Sequence, residues 1–220
     1  IAQSEGAFGK RYVSLWLHGQ HLLSDGVKMA KSSGNSHIVA DIQSQGIDPL
    51  AFRYLCLTAR YRTKLNFTFT SLKAAQKALL RLKNKVWEWE RLPPLVEWHW
   101  EGDREWKTRF WEHLRNDLDL PGALALTWEM VGSPIPDQVK LRLLSEFDQV
   151  LGLGLERVSE EYSPPKEILT LVERRTNLRE QGLYLEADEL RSRLDDKGYV
   201  LEDTHSRSRV RPKAAWEKYL

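Results

Sequence analysis

Between Ser71 and Trp89 the apolar residues Leu72, Ala75, Leu79, Leu82, Val86 and Trp89 recur at intervals of three and four. That spacing lays one apolar stripe along about five turns of α-helix, a surface that needs a packing partner. Ser71 is the expected start. The other face carries Lys73, Lys77, Arg81, Lys83 and Lys85, so the helix is expected to be amphipathic with a basic, solvated side. Further segments can supply the partner. Trp106, Phe110 and Leu114 repeat at helical spacing, and Ala123 to Val131 reads as a helix ended by Gly132 and Pro134. Leu141, Leu144, Phe147 and Leu151 line one side of a helix that Asp137 can cap. Residues 91–104, with Pro93-Pro94, read as a loop, and Asp117 to Pro121 as a break. Four such helices on short connections predict an antiparallel bundle and a mainly α chain.

The flanks are more mixed. Near the start, Gly6 and Gly9 mark a turn after a helical beginning, and the alternation of Val13, Leu15 and Leu17 within Tyr12–His18 predicts a strand. Pro49 opens a helix to Tyr61 that Asp48 can cap, with Phe52, Leu55 and Cys56 on one face. Gly152 to Pro165 reads as a linker. Pro165 suits the first turn of a helix reaching Glu180, and a second helix, Leu185 to Lys197, follows Gly182 and is closed by Gly198. Tyr199-Val200-Leu201 and Arg209-Val210-Arg211 alternate like a hairpin, which makes the tail a small α/β module.

Composition sets the outer limits. A chain of 220 residues with 41% apolar residues and nine tryptophans has the material for a core and for one or two domains. A net charge of +2 and a pI of about 8.6 give no global basic field, so an RNA partner would need a local patch. Cys56, the one cysteine, lies in the apolar run Tyr54-Leu55-Cys56-Leu57, which predicts a buried thiol in a reducing compartment and no internal disulfide. No apolar run approaches the ~20 residues of a membrane span, and the expectation is a soluble, cytoplasmic, monomeric protein with no membrane partner.

The stretch Lys28-Met29-Ala30-Lys31-Ser32-Ser33-Gly34-Asn35 puts ammonium and hydroxyl groups on a short loop. Taken alone it fits either a solvated basic turn or a site for phosphate oxygens. In order along the chain, Ile1-Ala2-Gln3-Ser4-Glu5, Trp16-Leu17-His18, Asp25-Gly26-Val27 and this loop are followed by Tyr61-Arg62 with Leu65-Asn66-Phe67. Asp119 to Leu124, Phe147 to Leu153, Ala187 to Arg191 and Leu201 to Thr204 continue the series. This string resembles the second half of cysteinyl-tRNA synthetase, a class I aminoacyl-tRNA synthetase whose signature loop is KMSKS. The resemblance covers nearly the whole chain. It implies that residues 1–70 are the end of a class I catalytic domain with the KMSKS loop and a stem-contact region. Residues 71–155 are then a DALR-like tRNA-binding helical bundle, and residues 156–220 a small anticodon-binding module. With Ile1 in place of an initiator Met, it also implies a fragment of a longer synthetase.

The family joins cysteine to the 3′ end of tRNA(Cys) by first attacking the α-phosphorus of ATP, supplied with Mg2+. By resemblance Lys31, supported by Lys28, meets the charge that builds on the leaving phosphates, and Lys28, Met29, Lys31 and Ser32 contact ATP. Ala30 replaces the family's serine. Arg179, Tyr184, Asp188 and Asp203 fall where the family reads the GCA anticodon, with Tyr184 in place of tryptophan as the stacking ring. Arg209-Val210-Arg211 lacks the ring of the family's Thr-Trp-Arg motif, although Trp216 follows. Arg174, Arg175, Arg207, Arg209, Arg211 and Lys213 are expected to meet tRNA phosphates.

The family's HIGH-type motif and zinc ligands have no counterpart in these residues. His18, His21 and His37 are not spaced with Cys56 as a zinc site, so no metal is assigned and the segment alone is expected to be inactive. Two alternatives stay open: the mycothiol-pathway ligase joining cysteine to an amino-sugar inositol, and a non-catalytic tRNA-binding relative. The C-terminal module weighs against the first, and the paired lysines weigh against the second.

Overall fold

The computed structural model describes residues 2–30, 34–93, 102–158, 164–203 and 208–213. In these residues the chain is mainly α-helical, as the periodicities require. The long helix α4, Phe69–Trp89, buries Leu72, Ala75, Leu79, Leu82, Val86 and Trp89. It starts earlier than Ser71, because Thr68 is the cap. The Thr68 hydroxyl accepts from the Ser71 amide at 3.0 Å, and the Ser71 hydroxyl accepts from the Thr68 amide at 3.1 Å.

The helix α3, Pro49–Leu57, packs along α4. Asp48 caps it by accepting from the Leu50 amide at 2.9 Å, and the same carboxylate lies 3.2 Å from the Lys83 ammonium. Lys83, expected on the solvated face, is 1% exposed. It stands four residues after Leu79 and three before Val86, so it sits on the buried stripe, with its side-chain nitrogen against a carboxylate.

Helices α5 (Asp103–Arg115), α6 (Leu120–Gly132) and α7 (Asp137–Leu151) complete the bundle. Phe110 of α5 and Phe147 of α7 stack with centroids 4.0 Å apart. The expected break at Asp117 to Pro121 is shorter than the sequence implied, since Pro121 lies inside the first turn of α6 and Asp119 caps it through the Gly122 amide at 3.3 Å. Most of the 91–104 loop falls outside the described residues.

The start of the Gly152 to Pro165 linker is packed rather than free. Leu153, Leu155 and Val158 join the bundle core. Buried Asp148 holds them, accepting from the Leu153 and Leu155 amides at 2.7 and 2.8 Å.

Two small sheets flank the helices. Strand β1 (Leu23–Ser24) pairs antiparallel with β2 (Val27–Lys28) and parallel with β3 (Asn66–Phe67). The strand expected at Tyr12–His18 is absent among the described residues; Leu15 and Leu17 are exposed, and the short helix α1 (Ala2–Phe8) precedes them. Alternation alone does not make a strand where no neighbour offers a ladder. The helix α2 (Val39–Ser44) leads into α3.

At the other end, helices α8 (Lys166–Glu180) and α9 (Tyr184–Asp196) pack on a hairpin of β4 (Tyr199–Asp203) and β5 (Ser208–Pro212). Their core is Ile168, Val172, Leu194, Leu201 and Val210.

Candidate functional site

The Lys28 loop grows out of the β1–β2 hairpin. Asp25 and Gly26, at φ of 50° and 81°, make a two-residue turn in which both positions are left-handed, the geometry that suits a tight hairpin. The Gly26 amide donates to the Asn66 side-chain oxygen at 2.8 Å, which ties the turn to β3. Lys28 ends β2 with its side chain exposed. Met29 donates its amide to the Leu22 carbonyl at 3.1 Å and packs on the core.

Asn35 then closes the loop. Its side-chain oxygen accepts from the Ala30 amide at 2.9 Å, and its amide nitrogen donates to the Lys28 carbonyl at 3.2 Å. The base of the loop is thus held through backbone groups of residues 28 and 30, so an alanine at position 30 costs that closure nothing. Lys31, Ser32 and Ser33 lie outside the described residues. His37, just beyond, packs its ring against Phe67 and Phe69.

Several motifs that carried the resemblance hold the fold. The Tyr61 hydroxyl donates to Asp117 at 2.6 Å and Arg62 lies 3.2 Å from the same carboxylate, joining the turn beyond α3, where the helix expected to reach Tyr61 has already ended at Leu57, to the α5–α6 turn. Asp119 faces His113 at 3.0 Å and Arg60 at 3.1 Å. Burial works against its charge, but the His113 contact, the Gly122 amide and Arg60 outweigh it and hold its carboxyl below the ordinary range. Arg53 donates to the carbonyls of Leu151 and Val150.

Cys56, expected to be buried, is exposed. The buried face of α3 runs through Ala51, Tyr54 and Leu55, which leaves Cys56 on the far side. It lines a cleft of about 470 Å3 beside His21, Arg53 and Arg60. Partial desolvation raises its thiol above the ordinary value, with Arg53 opposing. Among the described residues no group of three His, Cys, Asp or Glu could hold a metal ion, so they do not fit the zinc site that the resemblance brings with it.

In the C-terminal module Arg179 and Asp203 come together at 3.0 Å, while Tyr184 and Asp188 stand one turn apart on an exposed face of α9. Tyr184 is 62% exposed. Arg175, expected on the phosphate-facing surface, is instead buried; it donates to both oxygens of Asp203 at 2.8 Å and to the Ser208 hydroxyl at 3.0 Å. These bonds, led by Arg175, lower the Asp203 pKa to about 2. The sequence signal for this role was the spacing of Arg175 from Val172 and Ile168, which puts it on the buried side of α8.

Known families place this architecture. The family model for the tRNA synthetases class I (C) catalytic domain matches residues 1–77, the part that contains the hairpin, the Lys28 loop and α3. The class I synthetase resemblance read from the motifs is therefore shown by an independent comparison. Over nearly its whole length the chain is also similar to cysteine–tRNA ligases. It is 38% identical to cysteine–tRNA ligase 1 of Burkholderia lata over 216 residues, covering 96% of this chain and 44% of that protein. It is 33% identical to the cysteine–tRNA ligase of Leptospira interrogans, covering 97% and 49%, and 34% identical to that of Borrelia hermsii, covering 96% and 47%. The chain spans about half the length of the curated relatives it matches. No helix among the described residues is long and apolar enough to cross a membrane.

Proposed function

We propose that this chain is the tRNA-binding half of a cytoplasmic, monomeric cysteine–tRNA ligase, acting on ATP with Mg2+, cysteine and tRNA(Cys). In this reading residues 1–70 end the catalytic domain, residues 71–155 form the bundle against the tRNA, and residues 156–220 meet the anticodon. The observation that carries it is the class I catalytic-domain match over residues 1–77, which spans an exposed Lys28 at the base of a loop closed by Asn35.

When cysteine's carboxylate attacks the α-phosphorus, negative charge moves onto the departing pyrophosphate. A cation that meets that charge most strongly in the transition state lowers the barrier directly. Lys31 has this role, Lys28 assists from the end of β2, and Met29 and Ser32 complete the ATP contact. The anchored loop base limits the freedom that the lysines must give up. Arg179, Tyr184, Asp188 and Asp203 form the anticodon surface, with Tyr184 offering a stacking face. Zinc and the HIGH-type motif belong to residues beyond this segment, so the segment by itself activates no cysteine.

The test is cysteine-dependent pyrophosphate exchange in an intact synthetase carrying this segment. Lys31→Ala is expected to lower the exchange rate by about a hundredfold or more while the KM for ATP changes little, the pattern of a contact made in the transition state. An unchanged rate would remove Lys31 from the reaction.

A further inference from the structure

We infer that Arg175 is the positioning residue of the C-terminal surface: from inside the module it fixes the Asp203 carboxylate, which in turn holds Arg179 at the solvent edge. The inference rests on the proposed anticodon-facing role of Arg179 and its neighbours.

Arg175 and Arg179 stand one turn apart on α8, the first 1% exposed and the second with its side chain 44% exposed. Two guanidinium groups so close repel unless an anion lies between them. Asp203, at the end of β4, supplies it. Oδ1 accepts from Arg175 Nη1 at 2.8 Å and from the Ser208 hydroxyl at 2.9 Å. Oδ2 accepts from Arg175 Nη2 at 2.8 Å and lies 3.0 Å from Arg179 Nη1. The β4–β5 register places Ser208 opposite Asp203, so the hairpin delivers both partners to one point.

Two consequences follow from counting groups. Each carboxylate oxygen already faces two donors, which fills most of what a carboxylate can accept, so Asp203 meets a base edge as part of this cluster rather than as a free acceptor. Two cations against one anion leave the excess positive charge at the exposed end, on Arg179. That end keeps guanidinium hydrogens for the carbonyl and ring-nitrogen acceptors of an unstacked base. Only a planar fork grips both carboxylate oxygens at once, so lysine cannot do what Arg175 does.

The test uses the 220-residue chain and two tRNAs, one with the GCA anticodon and one with that anticodon altered. Arg175→Lys keeps the cation but loses the fork. It is expected to retain helical circular dichroism while the ratio of the two affinities falls about tenfold, the size of one charge-assisted bond. Val210→Ala, which thins the hairpin packing without touching the cluster, is expected to lower the melting temperature and keep the ratio. If Arg175→Lys does not fold, Ser208→Ala removes a bond to each of Arg175 and Asp203 and is expected to reduce the ratio by a smaller factor. An unchanged ratio in the folded variant, or an equal fall in Val210→Ala, overturns the inference. A wild-type chain that prefers neither tRNA is a separate failure, which removes the anticodon reading and the inference with it.

Discussion

Asp48 caps α3 through the Leu50 amide and faces the buried Lys83 ammonium with the same carboxylate. Removing it frees a helix end and takes a carboxylate away from a buried cation, and the second effect is the larger. Asp48→Ala should therefore destabilise the chain by about 2–4 kcal/mol, the loss of a cap and of one charge-assisted bond, with Asp48→Asn losing less because the amide oxygen can still cap. Urea unfolding of the two variants decides it; a loss for Asp48→Ala within about 0.5 kcal/mol, the range of ordinary surface substitutions, would show that Lys83 does not depend on this partner. At this scale the sequence held more than its residue types suggested. Lys83 and Arg175 are basic, and residue type alone sent both to the surface. Their spacing from Leu79 and Val86, and from Val172 and Ile168, puts both on apolar faces. Charge decided wrongly because the partners, Asp48 and Asp203, lie 35 and 28 residues away.

The elements differ in how much of their structure is local. The stripe of α4 is complete within one segment, so its burial could be read directly, and Thr68 displaced Ser71 as the start only through a reciprocal cap. The three-stranded sheet is the opposite case. Its strands are two residues long and β1 finds β3 more than forty residues further on, so no window of local alternation contains it. Tyr12–His18 had the alternation and lacked the neighbour. In the C-terminal module the hairpin was legible from alternation, whereas the clip that fastens it to α8 was not. That clip gives the module a pH signature. Asp203 titrates at about 2 when folded, because Arg175 and Ser208 bond its charged form, against about 4 in an unfolded chain. A lowered value means that the group adds stability above about pH 4 and loses it as the pH falls toward about 2. Thermal melting of the chain over that window should show the loss, and Asp203→Asn should show a smaller dependence. Equal slopes in both would mean that the carboxylate is not bonded as described.

Across the whole molecule, one apolar core runs from Ile42 on α2 to Val158 beyond α7, and a second gathers α8, α9 and the hairpin. The first core takes in the start of the expected linker, because Asp148 folds Gly152 to Leu155 back under the bundle. That return was hidden in the sequence: two glycines and a charged run look like a spacer, and the leucines between them acquire a place only when Asp148 claims their amides. The candidate site was legible as motifs rather than as geometry. The order of motifs pointed to a synthetase segment, and the comparisons bear out that resemblance, while contacts such as Tyr61 with Asp117 show that part of the motif string serves the fold. The central proposal is that this chain recognises tRNA(Cys). It is tested most directly by binding of the 220-residue chain to tRNA with the GCA anticodon, and to the same tRNA with the anticodon altered, across a range of salt. Phosphate contacts weaken equally for both tRNAs as salt rises, whereas base contacts preserve the difference between them. The account predicts a preference for GCA that survives added salt. Equal binding that disappears with salt, or no binding, would contradict it.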